Sequence, residues 1–338
     1  MDQTLKAMRE KSDTFLKVKK VANESYGEYE YFKFKVPFNY EKIQSHYSKL
    51  LDACSYRTTN EFSKEAETSS FYSSLHNSKW LRDVSTLLGM SAKIVNCLHL
   101  SRRNVFLEED KSSNDCSCII SSLVQLMMNE RARTIIGFED LIRKDWFLNG
   151  HQFNKRLLTV SILKNDETDE ANFDLASAGI VKDSAIKSIS PVFLLFLDCV
   201  FQLTVQYPDR FEFTEYYLIH LWDYALSGIS YEFSFNGLSD WTNFVHNQLK
   251  STGSSQKVNE DFLGSLFVEN NRFWNDHLER NQNLFLNLGY YMSPTRFNAD
   301  YRILNPTDKI HVMKFWTRCY LRWYEMNHPY NKGVSGEI

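Results

Sequence analysis

The sequence predicts an α/β layered domain, and the pattern of apolar residues in its middle part leads to that fold class. The apolar run 105–107 has the length of a strand. Apolar residues at helical spacing precede it in residues 71–100 and follow it from residue 119 onwards. A helix, a strand, a loop and a helix in this order are typical of a sheet covered by helices. The 338 residues include 15% aromatics but only 12 glycines and 6 prolines, as expected for a packed globular protein.

Charge and cysteine content restrict the class of protein. The 39 basic and 42 acidic side chains leave a net charge of -3, so no overall field favours nucleic acid or an anionic membrane. Six scattered cysteines indicate free thiols in a reducing compartment. The first residues lack the apolar stretch of a signal peptide, and Asp198 ends the apolar run 191–197 before it is long enough to span a membrane. We therefore expect a soluble cytoplasmic protein.

The elements before the central loop follow from spacing. Alternating aromatic and polar residues predict a strand, and apolar residues three or four apart predict helices. The predicted elements are a strand at 29–36, a helix at 39–54, a loop at 56–70, a helical segment at 71–100 and a strand at 104–108.

The second half is predicted to be mostly helical. Ser190 is a good N-cap with Pro191 at the first helical position, which predicts an apolar helix that runs to Gln206. The other predicted elements are helices at 119–134, 137–153 and 213–225, an acidic loop at 165–174, a flexible loop at 251–256, an aromatic-rich tail at 309–324 and a frayed end at 327–338.

A strand, loop and helix in this order could hold a phosphate, so we searched for cysteine phosphatase chemistry. Such an enzyme needs a thiolate nucleophile and, six positions later, an arginine that grips the phosphate. Only Cys97 and Arg103 have this spacing. Cys97 lies in a helical pattern without a loop glycine, and Arg103 precedes the strand, so a helix end feeding a strand is the favoured interpretation. The loop after the strand instead begins with Glu108, Glu109 and Asp110, whose charges would repel phosphate.

Several segments resemble the myotubularins, a family of phosphoinositide 3-phosphatases. The most distinctive is Arg133-Thr134-Ile135-Ile136-Gly137-Phe138, which continues to Trp146. The other matching segments are residues 78–81, 122–126, 150–153, 190–203, 211–215 and 315–323. Together they cover most of residues 40–245 and part of the tail. Ordered matches of this extent are more specific than any single motif.

The resemblance breaks down in the active-site loop. Active myotubularins read His-Cys-Ser-Asp-Gly-Trp-Asp-Arg-Thr there. Counted without gaps, the corresponding residues of this chain are Glu109, Asp110, Lys111, Ser112, Ser113, Asn114, Asp115, Cys116 and Ser117. Asp110 thus replaces the nucleophile and Cys116 replaces the phosphate-gripping arginine. Without them, neither the covalent route nor the bidentate phosphate clamp is available.

The resemblance therefore implies a catalytically inactive myotubularin, similar to the subgroup that includes the 3-phosphatase adapter protein. The implied fold is the α/β, protein tyrosine phosphatase-like fold of the cysteine-dependent phosphatases, myotubularin type, lacking its N-terminal part. We expect a partial, inactive phosphatase-like domain over residues 1–326, a flexible tail over 327–338 and no PH-GRAM domain.

The implied role is that of an adapter. We expect the chain to bind an active myotubularin-family phosphatase and to modulate dephosphorylation of phosphatidylinositol 3-phosphate and 3,5-bisphosphate. Membrane contact would be peripheral, on endomembranes, through that partner. No nucleic acid, cofactor or metal is expected, since no His has ligand spacing near Cys116 and Cys118.

Two other functions stay open at this stage. The chain could be a passive phosphoinositide-binding module that uses the loop region as a pocket, or an enzyme that uses Cys97 with Arg103. A residual anionic-lipid surface could also include Arg131, Arg133, Arg143 and Lys144. For these four residues a solvated helix face is the favoured interpretation.

Overall fold

A computed structural model describes residues 16–23, 27–36, 39–55, 70–101, 104–109, 115–157, 191–227, 230–251, 279–292 and 302–322. Its strands are β1 (Leu16–Asn23), β2 (Gly27–Lys35) and β3 (Asn104–Glu108). Its helices are α1 (Tyr40–Cys54), α2 (Ser70–Ser78), α3 (Trp80–Ser101), α4 (Asp115–Met128), α5 (Ile135–Ile142), α6 (Phe153–Leu157), α7 (Val192–Gln206), α8 (Glu215–Leu226), α9 (Tyr231–Ser234), α10 (Leu238–Ser251), α11 (Gln282–Phe285), α12 (Leu288–Met292) and α13 (Thr317–Tyr320). The described part is thus mostly helical with a small sheet. The predicted segments 165–174, 252–256 and 327–338 lie outside it, as does nearly all of the predicted loop 56–70.

The sheet has the order β1-β2-β3. β1 and β2 are antiparallel, and β2 and β3 are parallel, with Phe34 opposite Leu107. The backbone N–H of Val36 donates to the carbonyl oxygen of Glu108 at 2.9 Å and extends the pairing. The predicted strand at 104–108 is confirmed, and β2 matches the strand predicted at 29–36. β1 was not predicted, because the adjacent Lys19 and Lys20 interrupt the alternation of polar and apolar residues.

The helical segment predicted at 71–100 is in fact two helices, α2 and α3. Lys79 separates them with a φ of 64°, a left-handed conformation that cannot continue a helix. Next to it, the hydroxyl of Ser78 donates to the carbonyl oxygen of Leu75 at 2.6 Å. The apolar spacing continues on both sides of the break, so periodicity alone could not find it. By contrast, α1 is confirmed, with the Asn39 side chain accepting the N–H of Lys42.

A turn that was not predicted separates α4 from α5. The prediction extended the helix of residues 119–134 too far, because α4 ends at Met128 and Arg131–Arg133 form a 3-10 turn. Thr134 then caps α5 by accepting the N–H of Gly137 at 3.0 Å. A Cβ at Gly137 would lie 1.9 Å from the carbonyl oxygen of Arg131, so a side chain there would displace this turn. Beyond α5, residues Arg143–Leu148 form a π-helical segment.

Helix α7 is the centre of the core. All its residues from Val192 to Leu203 are buried, which confirms the predicted buried apolar helix. Pro191 is its N-cap instead of its first helical residue, and Ser190 lies outside the described residues. Helices α3, α4 and α8 pack around α7. In the described part of the chain no helix is both long and apolar enough to span a membrane.

A buried carboxylate on α7 ties the C-terminal segment to the core. Asp198 accepts hydrogen bonds from Trp80 Nε1 and from the Tyr320 hydroxyl, both at 2.8 Å. One turn later, Gln202 Nε2 donates to the carbonyl oxygen of Lys314 at 2.7 Å. These bonds hold α3, α7 and α13 together.

In the second half, one predicted helix begins later than expected and one helix was not predicted. Phe213 was predicted to begin a helix, but it forms an isolated antiparallel bridge with Leu286, and α8 begins at Glu215. In addition, helix α10 was not predicted, although it is amphipathic; the ring centroids of its Trp241 and of Phe147 are 6.5 Å apart.

Candidate functional site

The candidate site is the junction between β3 and α4, where the loop of the resemblance falls. Glu109 follows β3 directly, and Asp115 and Cys116 are the first two residues of α4. Between them, Asp110, Lys111, Ser112, Ser113 and Asn114 lie outside the described residues. The described geometry of the site is therefore that of Glu109, at the end of β3, and of Asp115 and Cys116, at the start of α4.

The carboxylate of Glu109 occupies the N-terminus of α4. Its Oε1 accepts the backbone N–H of Cys116 at 2.8 Å, and its Oε2 accepts the backbone N–H of Ser117 at 2.8 Å and the Ser117 hydroxyl at 2.5 Å. The first N–H groups of a helix have no partner within it and form a site for anions. In this chain a carboxylate of the protein fills that site.

Opposing effects act on the pKa of the Glu109 carboxyl. Burial raises the pKa of the Glu109 carboxyl, and the charge of Asp115 adds to this effect. Hydrogen bonds from Ser117 and Cys116 act in the opposite direction without cancelling the shift. A second anion at the same amide groups would meet both carboxylates, so the junction disfavours phosphate.

Cys116 has none of the properties of a phosphate ligand or of an activated nucleophile. Its side chain is fully buried. Burial raises the pKa of its thiol well above the ordinary value, and the negative charges of Glu109 and Asp115 raise it further. Catalytic cysteines need the opposite environment, in which positive charge stabilises a thiolate. Cys116 is therefore a neutral core residue.

Asp115, which the resemblance matches to an aspartate of the family motif, is buried in contact with two basic side chains. Its Oδ2 lies 2.8 Å from Nη2 of Arg156, and its Oδ1 lies 3.2 Å from Nδ1 of His151. Burial tends to raise the pKa of Asp115, but the hydrogen bond from His151 and the charges of both partners outweigh it and lower the pKa. The ion pair between Asp115 and Arg156 anchors the start of α4 to α6.

The partners of Asp115 were not predicted from the sequence. His151 packs edge-on against Trp146 and Phe153, at 4.8 and 4.6 Å between ring centroids, and burial lowers its pKa. The guanidinium of Arg156 also lies 4.1 Å from the ring centroid of Tyr40. The segment 150–153 entered the sequence analysis only as part of the resemblance, and nothing in its spacing pointed to Asp115.

The alternative nucleophile has the wrong location. Cys97 lies within α3 with 1% of its side chain exposed. Arg103 lies outside the described residues. A thiol buried in the last turns of a packed helix cannot reach a membrane lipid, so this location argues against an enzyme that uses Cys97.

The four basic residues considered for a lipid surface do not form one solvated face. Arg133 is 2% exposed, which corrects the expectation that it is solvated. Nη2 of Arg131 lies 3.3 Å from Oδ2 of Asp140. Nε of Arg143 lies 2.9 Å from Oε1 of Glu232. Nζ of Lys144 lies 3.3 Å from Oδ1 of Asp145.

Among the described residues, no group of three or more His, Cys, Asp or Glu side chains could hold a metal ion.

In the described part of the site, a strand leads towards a helix whose N-terminus is occupied by Glu109. The sequence model of myotubularin-like phosphatase domains matches residues 4–240. The chain therefore belongs to the myotubularin-related family.

Individual relatives agree with this assignment. The chain is 38% identical to myotubularin-related protein 10-A of Xenopus laevis over 196 residues, which are 58% of this chain and 22% of the relative. It is 38% identical to human myotubularin-related protein 12 over 197 residues, or 58% of this chain and 23% of the relative. Human myotubularin-related protein 10 is 36% identical over 198 residues, or 59% and 22%. The chain matches less than a quarter of the length of each of these relatives. The family and the subgroup that the resemblance indicated are confirmed.

Proposed function

We propose that this chain is a catalytically inactive, regulatory member of the myotubularin-related family. The observation that carries the proposal is the carboxylate of Glu109 on the first amide groups of α4. An active phosphatase needs those amides for its substrate's phosphate and for the oxyanion. Here they are already saturated by an anion of the same charge sign as the substrate.

The residues of the loop support the same proposal. The aligned positions carry Asp110 for the nucleophile and Cys116 for the arginine. The burial and raised pKa of Cys116 leave no thiolate at the helix N-terminus, and Cys97 is enclosed in α3. The proposed fold is the protein tyrosine phosphatase-like fold of the family, with the phosphatase-like domain over residues 1–326 and a tail over 327–338.

The proposed role is to bind an active myotubularin-family phosphatase and to modulate its dephosphorylation of phosphatidylinositol 3-phosphate and 3,5-bisphosphate. The packed core around α7 supports a domain that keeps its shape after losing its chemistry, which is what a binding partner requires. The proposed location is the cytoplasm, with peripheral contact to endomembranes through the partner. Passive phosphoinositide binding at the loop is disfavoured, because Glu109 already holds the backbone N–H groups of Cys116 and Ser117 at the start of α4.

Inactivity is tested with the purified chain and vesicles that contain phosphatidylinositol 3-phosphate. We expect phosphate release at the level of buffer, while an active myotubularin assayed in parallel releases phosphate. The matched variant is Cys97→Ser, which should change nothing. Release above buffer that disappears in Cys97→Ser would show instead that the chain is an enzyme with displaced chemistry.

The regulatory role is tested by affinity purification of the tagged chain from its native cells, followed by mass spectrometry. We expect an active myotubularin among the captured proteins, absent when an unrelated tagged protein of similar size is used. The captured complex should then release phosphate at a rate different from that of the partner alone. Failure to recover such a partner under mild conditions, in repeated experiments, would contradict the pairing.

A further inference from the structure

The three-stranded sheet has a core face and an outer face, and burial distinguishes them. Phe34 of β2 is 1% exposed, and Leu107, which is paired with it, packs against the core. Phe106, the preceding residue of β3, is 56% exposed, and Lys35 is exposed as well. Successive residues of a strand alternate between the faces, and residues paired in register share a face. The register therefore assigns each strand position to one of the two faces.

Lysines of two strands share the outer face. Lys17 of β1 is paired with Lys33 of β2, and Lys33 is paired with Phe106 of β3. Lys19 and Lys35 each lie two positions from one of these lysines, so they belong to the same face. The outer face thus has four lysine positions, and all of them lie at the end of the sheet where β1 begins and β2 ends.

The acidic residues of the strands belong mainly to the other face. Glu28 and Glu30 of β2 alternate with the outer positions, and Lys20 is paired with Glu30. Glu108 is the one acid that the three strands contribute to the outer face, and it forms an ion pair with Lys33. Four lysines and one glutamate give the outer face of the strands a formal charge of +3. The whole chain has a net charge of -3, so this positive charge is local.

Repulsion between like charges favours an anionic partner for this face. Residues directly opposite each other in antiparallel strands have Cβ atoms about 4.5–5.5 Å apart, and like charges at that spacing destabilise the pair. Lys17 and Lys33 are such a pair. Glu108 offsets only one of the four charges. A negatively charged surface placed against the sheet would offset the others.

Two features of the outer face favour a lipid bilayer over a nucleic acid. The three strands contain lysines but no arginine. Arginine is the residue that recognises individual phosphate groups of nucleic acids, whereas clustered lysines are attracted to an anionic bilayer without a fixed geometry. In addition, Phe106 places an exposed aromatic ring on the basic face. Aromatic side chains favour the interface between a membrane and water.

We infer that the outer face of the β1-β2-β3 sheet docks directly onto a bilayer that contains anionic lipids. Lys17, Lys19, Lys33 and Lys35 supply the attraction, and Phe106 lies at the interface. The chain makes this contact by itself, so the inference goes beyond the membrane contact through a partner that is proposed above. It is tested without a partner, and its failure would leave the regulatory role untouched.

The test is co-sedimentation of the purified full chain with vesicles at low ionic strength. We expect binding to vesicles of phosphatidylcholine with phosphatidylserine, no binding to phosphatidylcholine alone, and weaker binding as salt is added. Lys19→Gln should bind about fivefold more weakly, the effect of one lysine near an anionic bilayer. Lys20→Gln is the matched control, because it makes the same charge change at the next residue of β1 but on the core face. Its binding should equal that of the wild type.

A second variant keeps the test independent of the folding of β1. Lys35 is exposed at the end of β2, so Lys35→Gln should fold like the wild type by circular dichroism and also bind about fivefold more weakly. The inference is overturned if vesicles with phosphatidylserine capture no more chain than phosphatidylcholine vesicles do. It is also overturned if Lys19→Gln and Lys35→Gln bind as tightly as Lys20→Gln, or if the chain binds a single-stranded RNA but not the vesicles.

Discussion

Glu109 and Cys116 are joined by a hydrogen bond of 2.8 Å from the backbone N–H of Cys116 to the carboxylate of Glu109. In the gap-free count against the resemblance, the first residue corresponds to the histidine before the family's nucleophile and the second to its phosphate-gripping arginine, and this correspondence stays a prediction. The two residues are in direct contact in the structure. The acid at the end of β3 satisfies the N-terminus of α4.

Removal of the Glu109 carboxylate should destabilise the fold. Glu109→Ala leaves the N–H groups of Cys116 and Ser117 without their acceptor, and we expect a loss of about 1–2 kcal/mol of unfolding free energy, as for other helix N-caps. Urea denaturation measures it. Glu108→Gln is the matched control, since Glu108 is exposed at 49% and pairs with Lys33 at the surface. Equal stability of Glu109→Ala and the wild type would show that the carboxylate does not cap α4 in solution.

Loss of Asp115 should cost more. Asp115→Asn leaves Arg156 as an uncompensated buried charge, which typically costs about 3–5 kcal/mol. Because the folded pKa of Asp115 lies below its ordinary value of 3.8, its contribution is complete above that value and is lost as the pH falls through the lowered pKa. Denaturation curves at pH 7 and below 3.8 measure both effects. Asp140→Asn, which removes the surface pairs of Asp140 with Arg131 and Arg143, should cost less than about 1 kcal/mol; an equal cost for both variants would contradict the assignment.

The buried carboxylate of Asp198 should show the opposite pH dependence. Burial raises its pKa above 3.8, so the folded protein holds the proton more tightly than the unfolded chain. The wild type should therefore lose stability relative to Asp198→Asn as the pH rises from 3.8 through the raised pKa. Asp198→Ala should be the least stable variant, because Trp80 and Tyr320 lose their acceptor. A pH-independent difference between wild type and Asp198→Asn would show that the carboxyl is not shifted.

Two glycines provide a test of close packing. Both have positive φ, 81° at Gly150 and 116° at Gly237. A Cβ on Gly150 would meet nothing within 4 Å, whereas one on Gly237 would lie 2.8 Å from the Cα of Gly150. We expect Gly150→Ala to cost about 1 kcal/mol through backbone strain alone and Gly237→Ala to cost about 2–3 kcal/mol or more. Thermal unfolding of the two variants should preserve that order, and a reversed order would show that the contact is absent.

Local patterns sufficed for several elements. Alternation and helical spacing located β2, β3, α1 and α7, because each has one dominant apolar face or is apolar throughout. The break at Lys79, the turn Arg131–Arg133 and the bridge of Phe213 to Leu286 could not be found in this way. Each depends on a backbone conformation or a distant partner that leaves no mark on residue spacing.

The candidate site divides along the same line. The predicted replacement of the nucleophile and the arginine by Asp110 and Cys116 rests on the order of residues alone, since a thiol or guanidinium that is missing from these positions cannot be supplied by folding. The new role of Glu109 was decided by the tertiary structure, because a carboxylate can cap a helix only when the strand end and the helix start lie within hydrogen-bond distance. The burial of Arg133 has the same origin. The residue spacing around Arg133 favoured a solvated helix face, but in the fold its carbonyl oxygen accepts the N–H of Glu212 and its Nη2 donates to the carbonyl oxygen of Arg302, which encloses the side chain.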